Sequence, residues 1–323
     1  MIEFRESSEK IRQWLRAHYD ADGSSTIDPS DIRYYYKTPY LCVLTGERTL
    51  GKRITTFCMK NLVDGEGRVA RPAGVAPKNH AYGCAWLALG ATILERFDLA
   101  ECLGEYLVNL QNPGPGGIFF PDGEDGEERA EVCFSAGIGM GFAATGRNEA
   151  LRRVADWLRL MIEEQAGAEC YFNRCRRDGT IVREPAAGVW HKNYDLRADQ
   201  QRPANYATVV AALVWASRRL RDKSYLATAG QYVDLVYNHQ SDPSHFTFAS
   251  KFGWAMLTLY EDTGNDDLQQ RAVRLGRVHL ERQEADGLWS TPGMIENPVP
   301  AFARLSYACD CAATVCALAL LGG

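Results

Sequence analysis

Apolar positions along the chain fall into two alternating kinds of segment. One is apolar nearly all round and rich in Gly, Ala, Cys, Tyr and Trp. The other carries a charged stripe on one side, as with Arg152, Arg153, Asp156 and Arg159. Both have helical spacing, which the recurrence of apolar residues at three and four positions signals. Segments of the first kind begin near Asp31, Asn79, Arg129, Pro203, Ala249 and Arg304, each followed by a turn, a striped segment and a polar loop. An internal repeat of this sort decides the fold class before any single element does. A helix apolar all round is buried, and one with a charged stripe faces water. Six of each in strict alternation predict an all-α fold, an (α/α)6 barrel or toroid of six inner and six outer helices, spanning residues 1–323 as one domain.

The spacing predicts outer helices over 3–18, 47–62, 98–112, 148–165, 223–239 and 266–283. It predicts inner helices over 28–46, 79–97, 128–147, 202–220, 249–264 and 304–321. Asp28-Pro29 is a start signal for the first inner helix, Gly46 a stop, and Pro39 within it predicts a kink. Inner-to-outer connections are tight: Thr45-Gly46-Glu47, Arg96-Phe97-Asp98, Thr145-Gly146-Arg147, Arg221-Asp222-Lys223 and Thr263-Gly264-Asn265. Outer-to-inner connections are long: 19–30, 63–78, 112–127, 166–201, 240–248 and 284–303. The long loops and the amino termini of the inner helices therefore share one end of the ring. Long loops on a rigid scaffold carry function, and helix amino termini favour anions. The insertion 166–201 reads as a lid, with CYFNRCRRDGTIVREP alternating like a hairpin around Asp178-Gly179.

The chain has 323 residues, 46% hydrophobic and 24% charged, with net charge −5. That acidic balance gives no argument for nucleic acid as a partner. No apolar run approaches the roughly 20 residues of a membrane span. The charged amino terminus MIEFRESSEKIRQWL lacks a secretory apolar region, so a cytoplasmic location is expected. Six of the ten cysteines, Cys42, Cys58, Cys84, Cys102, Cys133 and Cys316, fall inside apolar helical patterns and read as small buried hydrophobes, not disulfide partners.

QEADGLWS places Gln283, Gly287 and Trp289 at the end of an outer helix. This resembles the QxxxGxW motif of terpene cyclases of the squalene–hopene type. LQNPGPGGIFF, with Gly117 and Phe119, is a degenerate copy; LVDGEGRV is a weaker one. The carboxy-terminal DCAATVCALALL resembles the helix that carries the cyclase aspartate motif. The chain thus resembles the terpenoid cyclase and protein prenyltransferase toroid superfamily. The resemblance implies that Gln283 caps a helix end and Trp289 stacks on it, both as stability residues. It departs from the cyclases in having Asp310 without the neighbouring aspartates of DxDD, and Asp266-Asp267 does not fit the DDxxD of magnesium-dependent cyclases. It departs from the prenyltransferases in the spacing of Asp310 and Cys311, so neither metal nor cofactor is expected.

Candidate site residues are read from the first turns of the inner helices, which face the mouth. These are Tyr34, Tyr35, Tyr36 and Lys37; Asn79, His80, Tyr82 and Trp86; Arg129, Glu131 and Cys133; Gln200, Gln201, Asn205 and Tyr206; Lys251, Phe252 and Trp254; and Arg304, Tyr307 and Asp310. The insertion adds His191, Lys192 and Asp195. Neighbours on a helix point about 100° apart, so the three tyrosines do not all face inward. An aromatic cavity with a few convergent polar groups is the general character of a small-molecule site. Desolvation favours the protonated form of a carboxyl deep in an apolar ring, which makes Asp310 the first candidate acid. Lys37, Tyr36 and His80 are the candidates for polarising a carbonyl. Tyr34, Tyr82, Trp86, Glu131, His191, Asp195, Tyr206, Lys251, Trp254 and Tyr307 are the candidates for binding substrate. The expected function is a cofactor-independent cyclase or isomerase of secondary metabolism with a small, largely apolar substrate. Alternatives are a carbohydrate-active toroid enzyme, whose paired carboxylates would be drawn from Glu131, Asp195, Asp199 and Asp310, and a non-catalytic binding toroid.

Overall fold

The computed structural model describes residues 2–64, 66–111, 114–121, 126–168, 170–183, 193–195, 204–237, 249–289 and 299–321. Among them are twelve α-helices. Six are outer: α1 (Ile2–His18), α3 (Arg48–Asn61), α5 (Phe97–Asn109), α7 (Asn148–Glu163), α9 (Ser224–Tyr237) and α11 (Asp266–Glu281). Six are inner: α2 (Thr38–Leu44), α4 (Pro77–Ile93), α6 (Val132–Thr145), α8 (Ala204–Leu220), α10 (Phe252–Thr263) and α12 (Ala301–Leu321). The inner helices touch in the order α2, α4, α6, α8, α10, α12 and back to α2, so the ring closes. Each outer helix packs on an inner one, with α1 covering α12 beside α11. The protein is an all-α (α/α)6 barrel.

The two helix classes differ as the pattern requires. The middle of α4 is buried on every side, including Cys84, Trp86 and Leu89. Outer α7 buries Leu151, Val154 and Leu158 and turns Arg152 to solvent. α12 is long and apolar enough to cross a membrane by length and composition, contrary to the reading of the bare sequence. Its place in the closed ring, against α1, α2, α10 and α11, accounts for that apolar character.

The five tight inner-to-outer turns share one device. Each holds a residue in the left-handed region: Gly46 (φ 79°), Glu95 (64°), Gly146 (77°), Arg221 (56°) and Gly264 (66°). Such a residue ends a helix by letting its amide reach back to the last carbonyls. The Gly146 amide bonds to Phe142 O and the Gly264 amide to Tyr260 O.

Two elements at the open end differ from expectation. The first inner helix is broken: a 3-10 turn over Ile32–Tyr34 precedes α2, and Pro39 lies in the first turn of α2 rather than kinking a longer helix. Proline disfavours helical backbone at the residue before it and lacks the amide a helix interior needs, so a helix starts there. The segment before α6 is extended, as strand β2 (Glu128–Glu131), so Arg129 and Glu131 precede the helix instead of riding on it. β2 lies between β1 (Phe119–Pro121) and β4 (Arg174–Arg176), with Ala130 opposite Phe119 on one side and Cys175 on the other. The expected hairpin forms: Cys175 bridges Ile181 around the turn at Asp178-Gly179. β3 (Cys170–Phe172) pairs with β5 (Asn193–Asp195).

The QxxxGxW segment closes the end of α11. Gln283 Nε2 donates to Ser7 O at 3.1 Å and to Gly287 O at 2.9 Å, and Trp289 Nε1 donates to His279 O at 2.7 Å. Gln111 after α5 does the same job, donating to Ala150 O at 3.0 Å. Gln165 after α7 is a further copy that the sequence pattern had not revealed, bonded to Met161 O, Phe172 O and the Phe172 amide. All ten cysteines are free thiols.

Two outcomes follow from this packing. Gly287 has φ +90° and a Cβ there would lie 2.7 Å from Lys10 O. Gly287→Ala is expected to lower unfolding free energy by about 2–3 kcal/mol in denaturant titration, from backbone strain and the clash together. Burial lowers the His279 imidazolium from 6.5 to about 4. The unfolded chain therefore takes up this proton first, and stability is complete above about 6.5 and falls as pH drops towards 4. His279→Gln, which keeps a donor for Ser250 O, is expected to flatten that acid limb by about 3 kcal/mol, read from unfolding titrations at a series of pH values.

Candidate active site

One side chain from each inner segment converges near the open end. Lys37, just before α2, and Asp310, on α12, form an ion pair at 2.8 Å. Lys251, just before α10, lies 3.6 Å from the other Asp310 oxygen and donates to the Tyr82 hydroxyl at 2.7 Å. The Tyr82 oxygen, on α4, is 3.4 Å from Thr208 Oγ1 on α8. Cys133 on α6 completes the circle, bonded to Thr208 and within reach of the Lys251 charge. Tyr82 can take this position because α6 offers Gly137 there. A Cβ on Gly137 would fall 2.4 Å from the Tyr82 ring.

Beneath the charged groups is an aromatic bed. Trp86 and Trp254 have ring centroids 5.8 Å apart, and Tyr40 contacts them at 5.5 and 6.2 Å. Tyr82 meets Trp86 at 6.3 Å, and Trp215 meets Trp254 at 6.1 Å. Lys37 Nζ lies 5.6 Å from the Trp86 centroid and Lys251 Nζ 5.3 Å from that of Tyr82, close enough for cation–π attraction.

Burial and charge decide what this cluster can do. The Lys37, Lys251 and Asp310 side chains are 9%, 6% and 14% exposed. Burial alone depresses the Lys251 ammonium, but Asp310, Tyr82 and Cys133 outweigh it, and the net shift is upward. Lys251 is therefore a fixed positive charge. Asp310 lies between the two ammonium groups, with one carboxyl oxygen towards each. Burial pushes the Cys133 thiol up to about 11, partly offset by Lys251. It stays a thiol at neutral pH and is a poor nucleophile.

The expected site residues divide into groups. Lys37, Tyr82, Trp86, Lys251, Trp254 and Asp310 come together. Glu131 forms a separate pair at the rim, 3.3 Å from Lys78, which lies 5.1 Å over the Phe134 ring. Tyr36 and His80 find each other at 2.5 Å but not Asp310. His80 Nε2 turns to Val69 O at 3.2 Å, its ring meets Tyr106 of outer α5, and burial lowers its pKa. Tyr206 faces the outer layer, donating to Asn173 and stacking on Tyr232 of α9. Tyr34 packs edge-on against Phe302. Tyr307 is buried, which raises its pKa, and bonds to Cys311. His191 and the side chain of Asp195 lie outside the described residues. Tyr40 and Thr208 escaped the sequence reading. Tyr40 follows Lys37 by three residues, and Thr208 follows Asn205 by three; helical spacing from a mouth residue was the available signal. Among the described residues no cluster of three or more His, Cys, Asp or Glu is arranged to hold a metal ion.

The ion cluster has a stability signature. Asp310→Asn leaves two buried ammonium groups with a neutral partner and is expected to cost about 3–5 kcal/mol of unfolding free energy. Lys37→Met added to Asp310→Asn is expected to restore part of that loss, because one uncompensated charge is removed. Denaturant titration of the single and double variants measures both; a double variant less stable than Asp310→Asn contradicts the electrostatic account.

No family model and no curated protein matches the chain. Solved structures do match. A family 76 glycoside hydrolase from a bovine Bacteroides thetaiotaomicron strain superposes with TM-score 0.69 at 12% identity, over 99% of this chain and 78% of that one. D-mannose isomerase gives 0.65 at 14% identity, over 97% and 96%. A type II terpene cyclase from Scytonema, in complex with geranylgeranyl dihydroxybenzoate, gives 0.59 at 14% identity, over 98% of both chains. At such identities the likeness is one of fold: the chain shares its (α/α)6 toroid with a terpene cyclase, a glycoside hydrolase and a sugar isomerase.

Proposed function

We propose that the protein is a cofactor-independent cyclase or isomerase that acts on a small, largely apolar substrate by general-acid activation in its aromatic cavity. One observation carries the reading: Lys251 donates to the Tyr82 hydroxyl at 2.7 Å above the Trp86–Trp254 bed. A tyrosine hydroxyl bonded to a fixed cation is a competent proton donor, because the ammonium stabilises the phenolate left behind. Tyr82 would give its proton to a substrate carbonyl oxygen. A neighbouring alkene or enol would supply the electron pair for the new bond or shifted double bond. The proton released from carbon would return to the Tyr82 oxygen, which exchanges with solvent and then protonates another carbon of the resulting enol while the enol O–H proton comes back to it, so product and substrate are isomers, carbon takes up solvent hydrogen and no redox partner is needed.

The charge balance favours this over alkene protonation. Two lysines beside the reacting atoms oppose a full carbocation and favour negative charge developing on oxygen. Asp310 then serves to position Lys37 and Lys251, and the proton donor is Tyr82. The carbohydrate reading needs two carboxyl groups flanking the scissile bond, one of them protonated. Asp310 and Glu131, two of the acids that reading would draw on, are each paired with lysine.

The test is solvent exchange and product analysis in D2O. Geranylgeranyl dihydroxybenzoate and simpler prenylated aryl ketones form one arm, and D-mannose and mannan oligosaccharides the other. An isomer carrying solvent deuterium is expected in the first arm, with Tyr82→Phe lowering the rate by about 100-fold or more. Lys251→Met is expected to act in the same direction. Turnover confined to the sugar arm overturns the proposal.

A further inference from the structure

The groups around the cavity carry more hydrogen-bond donors than acceptors. Each ammonium has three N–H groups. Lys37 gives one to Asp310 Oδ1 at 2.8 Å and one to Ser306 O at 3.3 Å. Lys251 gives one to Tyr82, and the second Asp310 oxygen, at 3.6 Å, is beyond hydrogen-bond length. Each lysine is left with at least one donor hydrogen that no described acceptor takes up. The Trp86 indole nitrogen is buried with no acceptor, in a side chain only 3% exposed. That ring lies against Lys37, Tyr40, Tyr82 and Trp254, all of them in the cluster described above. A buried N–H without a partner is uncommon in a native protein and calls for an explanation. Among the described residues the charge balance points the same way: Lys37 and Lys251 face the one carboxyl group of Asp310. Glu131 is paired with Lys78. The acidic chain as a whole, at −5, provides no general attraction for anions, so the positive balance is local.

We propose that the substrate carries a carboxylate on an otherwise apolar body, and that Lys37 and the Trp86 indole N–H anchor it. The inference rests on the site proposed above and deepens it. The anchoring pair is distinct from the Lys251–Tyr82 pair that moves the proton. One end of the substrate would be held as an anion, while a carbonyl elsewhere on it meets Tyr82. An anion there satisfies the indole donor and the spare Lys37 donor together and neutralises the surplus charge. A neutral hydroxyl or amide would satisfy the donors and leave the charge.

Four probes of one shape test this by tryptophan fluorescence and calorimetry: 4-phenylbutyrate, its primary amide, the corresponding alcohol and 4-phenylbutylamine. The unmodified protein is expected to bind the carboxylate at least about tenfold tighter than the amide, and to bind the amine weakest. Lys37→Gln, which keeps a donor and removes the charge, is expected to abolish the preference for the acid. Trp86→Phe, which keeps a ring and removes the N–H, is expected to weaken acid binding about three- to tenfold. The comparison among probes needs no variant, so a variant that fails to fold does not decide the matter. Equal binding of acid and amide, tighter binding of the amine, or no binding of the acid at millimolar concentration overturns the proposal. So does an acid preference that survives in both folded variants. Acid preference without solvent-deuterium exchange on any substrate keeps the anion site and sinks the proton-transfer reading. Exchange on neutral substrates without acid preference does the reverse.

Discussion

The structure turns on one carboxylate held between two lysines. Asp310 belongs to the last inner helix, Lys37 to the first and Lys251 to the fifth. α12 is the helix that touches both α2 and α10, so the ion cluster spans the seam where the ring closes. Burying three charges is expensive, and well-packed apolar residues of the same volume would commonly do as well for stability. A seam closed for stability alone would not need them. Their presence over a bed of indole and phenol rings is the physical reason to look for chemistry there.

The rest of the fold keeps this cluster in register. Left-handed residues at Gly46, Glu95, Gly146, Arg221 and Gly264 make the far end a set of short, stiff turns. Gln111, Gln165 and Gln283 tie the ends of three outer helices to the loops that follow them. The resemblance to terpene cyclases through Gln283, Gly287 and Trp289 is thus a likeness in how helix ends are fastened. It extends to the ring and stops before the acid motif, and the matching structures, which include sugar enzymes as well as a cyclase, agree with that limit.

How much was legible in the sequence follows from which helices carry a directional pattern. Outer helices such as α7 have one apolar face, so their place and orientation were readable. Inner helices such as α4 and α6 are buried on all sides, and such a segment has no stripe to say which side faces the cavity. Tyr82 and Trp86 point inward while His80, on the same helix, points at α5, and periodicity could not separate them. Tyr206 was misplaced in the same way. Local chemistry explains the other differences. Pro39 divides the first inner segment, and β2 replaces the first turn of α6 by pairing with β1 and with β4, the second of which lies far away in sequence. The pairing of Lys37 with Asp310 depends on ring closure across nearly the whole chain, and no local pattern encodes it.

That closure also sets an order of events. Lys37 is made early, and its carboxylate partner arrives 273 residues later. Until α12 docks, the first and fifth inner helices present uncompensated cations and the aromatic bed lies open to water. A chain emerging from the ribosome therefore carries an unfinished cavity, the kind of exposed apolar surface that chaperones shield. Packing of α12 against α2 and α10 brings Asp310 to both lysines and closes the ring. A partly assembled ring accordingly lacks the ion cluster, which exists only once α12 lies between α2 and α10.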